Sequence, residues 1–127
     1  MNGVSCRIHP SPARPFDEAN CVPCRGGTPP LKGEELENFR GQLPDWRVVD
    51  EHHLEKSFTF PDFKSALAFV NRIGDMAEEE GHHPDLSLGW GYVKVTTYTH
   101  KIAGLSESDF ILAAKVDRLF FAPAAHP

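Results

Sequence analysis

The sequence predicts an α+β domain in which an antiparallel sheet carries its helices on one face. The main observation is the order of patterned segments, which run helix, hairpin, helix, hairpin, helix along the chain. The length of the chain is consistent with this fold class, because 127 residues suit one domain with one hydrophobic core. Composition agrees as well, since 40% hydrophobic and 24% charged residues are ordinary values for a globular protein.

The first thirty residues differ in composition from the rest of the chain. Residues 1–30 contain more than half of the 11 prolines and all 3 cysteines. Dense prolines and glycines favour irregular structure over helix or strand. We therefore predict an irregular Pro/Cys-rich arm over 1–30, a compact domain over 31–122 and a short tail over 123–127.

The compact domain is predicted to begin with a short helix followed by a β-hairpin. Apolar residues recur at about one helical turn within 31–43. The segments 45–50 and 53–60 have the composition of two strands joined by a short turn. The second strand does not separate apolar from polar side chains cleanly between its two faces, because Lys56 lies on the same face as Leu54.

Residues 61–81 carry the strongest helical pattern in the chain. An apolar stripe at helical spacing is formed by Phe63, Ala66, Leu67, Val70, Ile73 and Ala77. Pro61 suits a helix start, and Gly81 is typical of the left-handed residue that ends a helix. Pro84 prevents continuation, so the two histidines before it directly follow the helix.

A second hairpin and a last helix complete the predicted domain. Residues 85–100 show the pattern strand, turn, strand, with the turn at 89–91. The last helix covers 105–121 and begins with Ser106, which is followed three residues later by Asp109. That spacing is similar to a capping box, in which the two side chains satisfy free N–H groups of the first turn.

Charge and hydropathy narrow the classes of function. The formal net charge is −5 at pH 7 and no basic patch is visible, so direct nucleic-acid binding is not expected. No apolar run reaches the ~20 residues of a membrane helix, and the N-terminus lacks the apolar core of a signal peptide. We therefore expect a cytoplasmic protein with no membrane contact.

Three histidines are candidates for one functional site. His82 and His83 lie at the predicted helix-to-strand corner, and His100 ends the strand whose partner begins at Asp85. A hairpin brings the start of its first strand beside the end of its second, so His100 should return to the pair. Imidazole has an unperturbed pKa of about 6.5, so it can donate and accept protons without a metal. The pattern therefore predicts an acid–base site.

Other interpretations of these histidines remain open. Each one could be a solvated residue at the end of an element, where a helix C-terminus favours a positive charge. Three imidazoles with Glu78 or Asp109 could instead hold zinc with an open coordination position. Adjacent side chains on an extended segment point in opposite directions, which makes joint ligation awkward. Asp109 itself could cap its helix, orient an imidazole, or do both.

Other imidazole and aromatic side chains are predicted to be structural. His52 and His53 are expected at the exposed tip of the first hairpin, with no functional role. Trp46 and Trp90 are expected in the core or at its rim, although either could stack on a flat heterocycle.

The N-terminal arm contains a weaker candidate site. A C-x-x-H pair and a C-x-x-C pair could together make a tetrahedral zinc site from Cys6, His9, Cys21 and Cys24. We favour free thiols, because two such pairs make a weak motif on their own. We therefore expect no cofactor for catalysis, with a structural zinc in the arm as the open alternative.

One pattern joins the candidate residues at fixed spacings. It comprises an acid, three residues, His-His-Pro, an aromatic residue, then a histidine and an aspartate. In this chain the positions are Glu78, His82, His83, Pro84, Trp90 or Tyr92, His100 and Asp109. The segments "EEEGHHPDLSLGWGYVKVTTYTH" and "AGLSESDFILA" resemble the pterin-4a-carbinolamine dehydratase family, also called 4a-hydroxytetrahydrobiopterin dehydratases. The similarity spans Lys32 to Phe121, most of the predicted domain.

The resemblance implies both a fold and a reaction. The implied fold is a four-stranded antiparallel sheet with three helices. A hydro-lyase step removes water from 4a-hydroxytetrahydropterin to give quinonoid dihydropterin during tetrahydrobiopterin recycling. The implied site consists of the catalytic residues His82, His83 and His100 and the substrate-binding residues Glu78, Trp46 and Asp109. We hypothesise that His83 is the central group, while the other two histidines exchange protons. Some members carry an acidic residue where this chain has Gly81.

The resemblance also implies partners and an alternative function. Besides the pterin substrate, members form homodimers or homotetramers and serve aromatic amino-acid hydroxylases. Relatives of the same fold act as transcriptional dimerisation cofactors or as assembly chaperones for a carboxylase, so a non-catalytic binding module is the alternative. The chaperone-type relatives lack the histidine pair that this chain keeps at His82 and His83, which favours the enzyme.

Overall fold

The structure is a computed structural model, and it describes residues 29–121. The predicted order of elements is confirmed, and the four strands form one antiparallel sheet. In chain order the elements are α1 (Gly33–Arg40), β1 (Arg47–Val49), β2 (His53–Thr59), α2 (Phe63–Glu80), β3 (Asp85–Gly89), β4 (Tyr92–Thr97) and α3 (Glu107–Phe121). The strands lie in the order β1-β2-β4-β3, so β1 and β3 form the edges of the sheet.

Some of the predicted features lie outside the described residues. They are residues 1–28 of the arm, the tail 123–127, and the zinc candidates Cys6, His9, Cys21 and Cys24. Among residues 29–121, no helix combines the length and the apolar character needed to cross a bilayer.

One face of the sheet is apolar because side chains alternate along each strand. In β4, Val93 and Val95 are fully buried, whereas the intervening Lys94 is not. The antiparallel register places Phe58 of β2 opposite Val93, and Leu86 of β3 opposite Val95. These residues form a continuous apolar face on which α2 and α3 pack.

β2 contributes a lysine to this apolar face. Lys56 lies opposite Val95, and its ammonium donates to the Asp117 carboxylate of α3 at 2.8 Å. The same ammonium lies 4.7 Å from the centroid of the Phe58 ring. The ammonium charge is paired with a carboxylate and partly covered by an aromatic ring. β2 can therefore pack against the helices although its apolar and polar side chains are not cleanly separated between its two faces.

α2 buries only part of the predicted apolar stripe, because Ala66, Ile73 and Ala77 are buried but two other members are not. Phe63 and Leu67, both in that stripe, are 45% and 41% exposed, so the prediction is wrong at these positions. Phe69, which the stripe omits, is fully buried, with its ring 5.1 Å from that of Phe58 and 5.7 Å from that of Phe120. The buried positions of α2 are Ala66, Phe69, Ile73 and Ala77. The large ring of Phe69 fills the space between sheet and α3, and this contact sets which face of the helix turns inward.

Both ends of α2 have a local cause. Asp62 rather than Pro61 caps the start, since its carboxylate accepts the Ser65 N–H at 2.8 Å. Gly81 ends the helix in the left-handed conformation with a φ of 68°, and its N–H donates to the Ala77 carbonyl at 2.9 Å. A glycine adopts this conformation without a Cβ clash, so the predicted helix stop is confirmed.

The chain leaves the sheet earlier than predicted after β4. The strand ends at Thr97, and His100 begins a short 3-10 turn instead of ending the strand. Ala103 then adopts a left-handed φ of 49° and redirects the chain toward α3. The His100 side chain is therefore carried on a turn beside the corner where α2 ends.

Candidate active site

A cleft opens where α2 ends and β4 leaves the sheet. It has a volume of about 340 Å³ and is lined by Gly81, His82, His83, Tyr98, Thr99, His100 and Lys101. The three histidines singled out from the sequence therefore lie on one cleft. The helix stop at Gly81 positions the first two, and the pairing of Asp85 with Thr96 returns the third to the same corner.

His82 is held by a buried carboxylate. Its Nε2 lies 2.7 Å from Oδ1 of Asp109, whose side chain is fully buried at the start of α3. An ionised carboxylate only accepts hydrogen bonds, so Nε2 of His82 carries the proton. The Nδ1 atom of the neutral ring is then left to accept a proton from a bound molecule.

Asp109 is itself fixed by donors from two neighbouring segments. The hydroxyls of Thr97 and Thr99 donate to its two carboxylate oxygens at 2.7 and 2.9 Å. The backbone N–H of Ser106 donates at 2.9 Å, which is one of the two bonds of the predicted capping box, whereas the Asp109 N–H donates to the Ser106 backbone carbonyl at 3.0 Å. Asp109 therefore caps its helix and orients His82 at the same time. A buried carboxylate with this many partners is held in one orientation.

His83 is paired with an acid at the surface. Its Nε2 lies 2.6 Å from Oε2 of Glu78, and the two side chains are 58% and 79% exposed. Water and salt weaken ion pairs at exposed positions. We therefore expect Glu78 to orient His83 less strictly than Asp109 orients His82.

His100 is held by an aromatic contact. Its exposed ring stacks on Tyr98, with 4.3 Å between centroids and 20° between planes. Within residues 29–121, neither a hydrogen bond nor an ion pair reaches the His100 ring. In this part of the chain, both of its nitrogen atoms are therefore available to a bound molecule.

Trp46 lies outside this cleft, although the family resemblance implies a substrate contact for it. Its side chain is only 1% exposed, and its indole N–H donates to Asp117 at 3.1 Å. The ring packs edge-on against Phe58, with 6.1 Å between centroids. In this position Trp46 is a core residue with a satisfied N–H, whereas Glu78 and Asp109 both contact histidines of the cleft.

Sequence reasoning missed His52 and Tyr98. His52 is half-buried instead of lying on an exposed tip, and its ring centroid is 4.4 Å from that of Tyr98. The turn before it is made by Asp50 and Glu51, which both adopt a left-handed φ of 54°. No periodic pattern signals such a turn, so this contact could not be predicted. Thr97 could have been found, because alternation along β4 places this polar residue on the buried face.

The first turn of α3 also contains a buried acid, Glu107. Glu107 is 2% exposed, and within 29–121 its Oε2 atom accepts no hydrogen bond. Burial, together with the nearby carboxylate of Glu35, raises the pKa of Glu107 to about 7. The neutral carboxylic acid is therefore the form that this site favours below about pH 7.

The arrangement suits proton transfer. Across residues 29–121, no group of three or more His, Cys, Asp or Glu side chains is arranged to hold a metal ion. The Nε2 atoms of His82 and His83 point at Asp109 and Glu78 instead. Each ring thereby keeps its other nitrogen for a molecule bound in the cleft.

Comparison with known proteins identifies the family. A family model described as pterin 4 alpha carbinolamine dehydratase matches residues 29–119. The chain belongs to the pterin-4a-carbinolamine dehydratase family. The matched region includes every strand, α1, α2 and most of α3, and therefore all residues that line the cleft.

Two sequence relatives carry provisional names from the same dehydratase family. A protein of Rubrobacter xylanophilus, provisionally named pterin-4-alpha-carbinolamine dehydratase, is 65% identical over 102 residues, which cover 80% of this chain and 95% of the relative. A protein of Alkaliphilus metalliredigens with the same provisional name is 56% identical over 102 residues, covering 80% and 92% of the two chains.

Two solved structures resemble the fold of this chain. One is described as a transcriptional coactivator/pterin dehydratase from Brucella melitensis, with a TM-score of 0.67, 31% identity, and coverage of 71% of this chain and 97% of that one. The other is described as a pterin dehydratase-like protein that is a RuBisCO assembly factor in the alpha-carboxysome. Its TM-score is 0.52 and its identity 30%, with coverage of 59% of this chain and 88% of that one.

Proposed function

We propose that this protein is a hydro-lyase that dehydrates 4a-hydroxytetrahydropterin to quinonoid dihydropterin, as part of tetrahydrobiopterin recycling. The observation that carries the proposal is the meeting of His82, His83 and His100 on one cleft, with Asp109 bonded to His82 at 2.7 Å. Family membership supports the same substrate class.

The reaction needs one acid and one base. The bond from C4a to the hydroxyl oxygen breaks, and the oxygen leaves as water after it gains a proton. The N5 proton departs, and its electron pair forms the double bond between N5 and C4a. No oxidant or metal is needed for this balance, and each positioned acid–base group typically contributes about 10² to 10⁴-fold.

The side chains of the cleft suit those two proton transfers. His82 offers Nδ1 as an acceptor, and Asp109 is positioned to balance the positive charge that the ring gains. His100 has both nitrogens available and exchanges the second proton. His83, oriented by Glu78, is the central group. It contacts the pterin between the two positions at which protons are transferred.

A stopped-flow dehydration assay tests the role of the histidines. We expect His83→Ala to lower turnover by about 10²-fold or more, because an acid–base or charge-stabilising group is lost. Circular dichroism and the melting temperature serve as controls for folding. Turnover equal to that of the unmodified protein would remove His83 from the mechanism.

The alternative function is a non-catalytic binding module, a transcriptional dimerisation cofactor or an assembly chaperone. The two solved structures favour it as the second candidate, since one is described as a transcriptional coactivator/pterin dehydratase and the other as an assembly factor. Titration calorimetry with a reduced pterin discriminates between the two functions. Binding supports the dehydratase, whereas a complete lack of heat would favour the module.

The proposal extends to partners and location. We propose a cytoplasmic homodimer or homotetramer that works with an aromatic amino-acid hydroxylase and binds neither nucleic acid nor membrane. The proposed chemistry requires no cofactor. The edge strands β1 and β3, which are unpaired on their outer sides within residues 29–121, are surfaces on which two copies could associate.

A further inference from the structure

The three histidines of the cleft are held in two different ways. His82 and His83 each direct Nε2 at a carboxylate, at 2.7 and 2.6 Å. His100 has no such partner within residues 29–121, and its ring lies flat on Tyr98 instead. An exposed imidazole without a hydrogen bond has several rotamers available, so an additional contact must select one of them.

The contact that holds His100 continues beyond Tyr98. The Tyr98 ring is 4.3 Å from His100 and 4.4 Å from His52 by centroid distance. Both imidazoles therefore contact the same tyrosine ring, and among the described residues no ring contact joins His52 to His100 directly. Tyr98 and His52 are half-buried, whereas His100 is exposed.

The far side of this stack is anchored on β2. His52 Nδ1 lies 3.1 Å from Nδ1 of His53, the first residue of β2. His53 Nε2 in turn lies 3.7 Å from Oε1 of Glu55 on the same strand. A continuous series of contacts therefore links the first hairpin to the cleft.

Stacking fixes the plane of the His100 imidazole, and within residues 29–121 neither ring nitrogen has a polar partner. Such a ring can take a proton at one nitrogen and release a proton from the other. His82 and His83 each have one nitrogen occupied by a carboxylate, so His100 is the cleft histidine best suited to exchange protons between a bound molecule and solvent.

We propose that Tyr98, braced by His52, is a positioning residue that sets the orientation of His100 for proton exchange. This inference rests on the proposed dehydratase function. It assigns a role to the first hairpin, which lies apart in sequence from the family pattern that begins at Glu78.

The test compares Tyr98→Leu with Tyr98→Phe in the full-length protein. Leucine removes the flat ring, and we expect kcat of dehydration to fall about tenfold with little change in KM, because misplaced catalytic groups lose rate before they lose binding. Phenylalanine keeps the ring and should stay within about twofold of the parent kcat. Phe63→Leu is the control, since it replaces an exposed aromatic ring of α2 outside the cleft, and kcat should not change.

NMR of the substrate-free protein tests the geometry separately from activity. The ring current of Tyr98 should shift the His100 imidazole protons upfield, and His100→Gln identifies those resonances by their loss. The upfield shift should disappear in Tyr98→Leu and persist in Tyr98→Phe. Unchanged His100 resonances in Tyr98→Leu, or full kcat in that variant, would overturn the proposal.

Two further outcomes separate this inference from the proposed function. An inactive but folded parent protein would contradict the dehydratase function, while the NMR comparison would still decide whether Tyr98 orients His100. If Tyr98→Leu does not fold, His52→Ala tests the same stack from its other side. In His52→Ala we expect kcat to fall about threefold and the upfield shift to be partly lost. In His52→Phe, which keeps a ring, kcat and the upfield shift should match those of the parent protein. No change in His52→Ala would contradict the bracing role.

Discussion

At the scale of single residues, Asp109 joins the fold to the site. It is fully buried, accepts hydrogen bonds from Thr97, Thr99 and Ser106, and lies 2.7 Å from His82. The sequence could suggest both roles, because the spacing from Ser106 indicates a cap and the family pattern indicates a site. It could not show that Thr97 and Thr99 complete the environment of the carboxylate, since they lie at the end of β4 and just after it, not in α3.

Asp109→Asn tests this double role. The amide keeps the size of the carboxylate but loses the charge and turns an N–H₂ group toward donors. We expect kcat to fall by about 10²-fold and the free energy of unfolding to fall by about 1–3 kcal/mol. Stopped-flow dehydration and urea denaturation measure the two quantities.

Asp117→Asn is the matched control for Asp109→Asn. Asp117 also accepts two side-chain hydrogen bonds, from Trp46 at 3.1 Å and from Lys56 at 2.8 Å, but it does not line the cleft. It should lose stability and keep kcat. If both variants lost activity in proportion to stability, Asp109 would have a structural role only.

At the scale of elements, the end of α2 sets the position of the histidine pair. The sequence indicates this end through Gly81 and Pro84, which act locally and can be read without the rest of the fold. The contact of His52 with Tyr98 could not be predicted, because it depends on a left-handed turn at Asp50 and Glu51. The exposure of Phe63 also escaped prediction, since it follows from how Phe69 packs between elements.

Gly81→Ala should destabilise the protein by about 1–2 kcal/mol, because φ is 68° and an L-residue is strained in the left-handed region. A Cβ at this position would meet no atom within 4 Å, so backbone strain is the whole expected effect. Gly74→Ala is the control within the same helix. Its Cβ would also meet nothing within 4 Å, and it should stabilise the helix by about 0.5–1 kcal/mol. Urea denaturation of both variants checks the prediction, and equal effects of the two substitutions would contradict it.

The first turn of α3 should make stability depend on pH. The pKa of Glu107 is about 7 in the folded protein against an ordinary value of 4.5, so the folded state binds this proton more tightly than the unfolded state. The stabilisation that comes from protonated Glu107 is fully present below about pH 4.5 and is lost as the pH rises toward about 7 and beyond. The loss should be on the order of 1–3 kcal/mol.

Urea denaturation at several pH values measures this contribution. Glu107→Gln should flatten the decline between about pH 5 and 8, because the amide does not ionise. Glu79→Gln replaces an exposed glutamate of α2 and serves as the control, with a profile like that of the parent protein. An unchanged decline in Glu107→Gln would show that Glu107 is not its source.

At the scale of the whole molecule, one four-stranded sheet carries the core and presents the cleft at its corner. The order of elements could be predicted, because each helix and hairpin has its own periodic pattern. The pairing of β2 with β4 could not be predicted, since it joins Leu54 to Thr97 across the intervening α2 and β3. This non-local pairing brings Tyr98 beside the first hairpin and so completes the surroundings of His100.

Self-association is the prediction that belongs to this scale. The edge strands β1 and β3 are unpaired within the described chain, and the α2 side chains Phe63 and Leu67 are 45% and 41% exposed. Unpaired edges and exposed apolar side chains both favour association. We expect a dimer or a tetramer in sedimentation velocity at micromolar concentration, and a single monomeric species would contradict the expectation.

Dehydratase activity on a carbinolamine generated in situ tests the central claim most directly. We predict that the full-length protein accelerates the loss of water far above the rate in buffer. We also predict that Ala at His82, His83 or His100 removes about 10² to 10⁴-fold of that acceleration. A folded protein that leaves the buffer rate unchanged, or three alanine variants as active as the parent, would contradict the account.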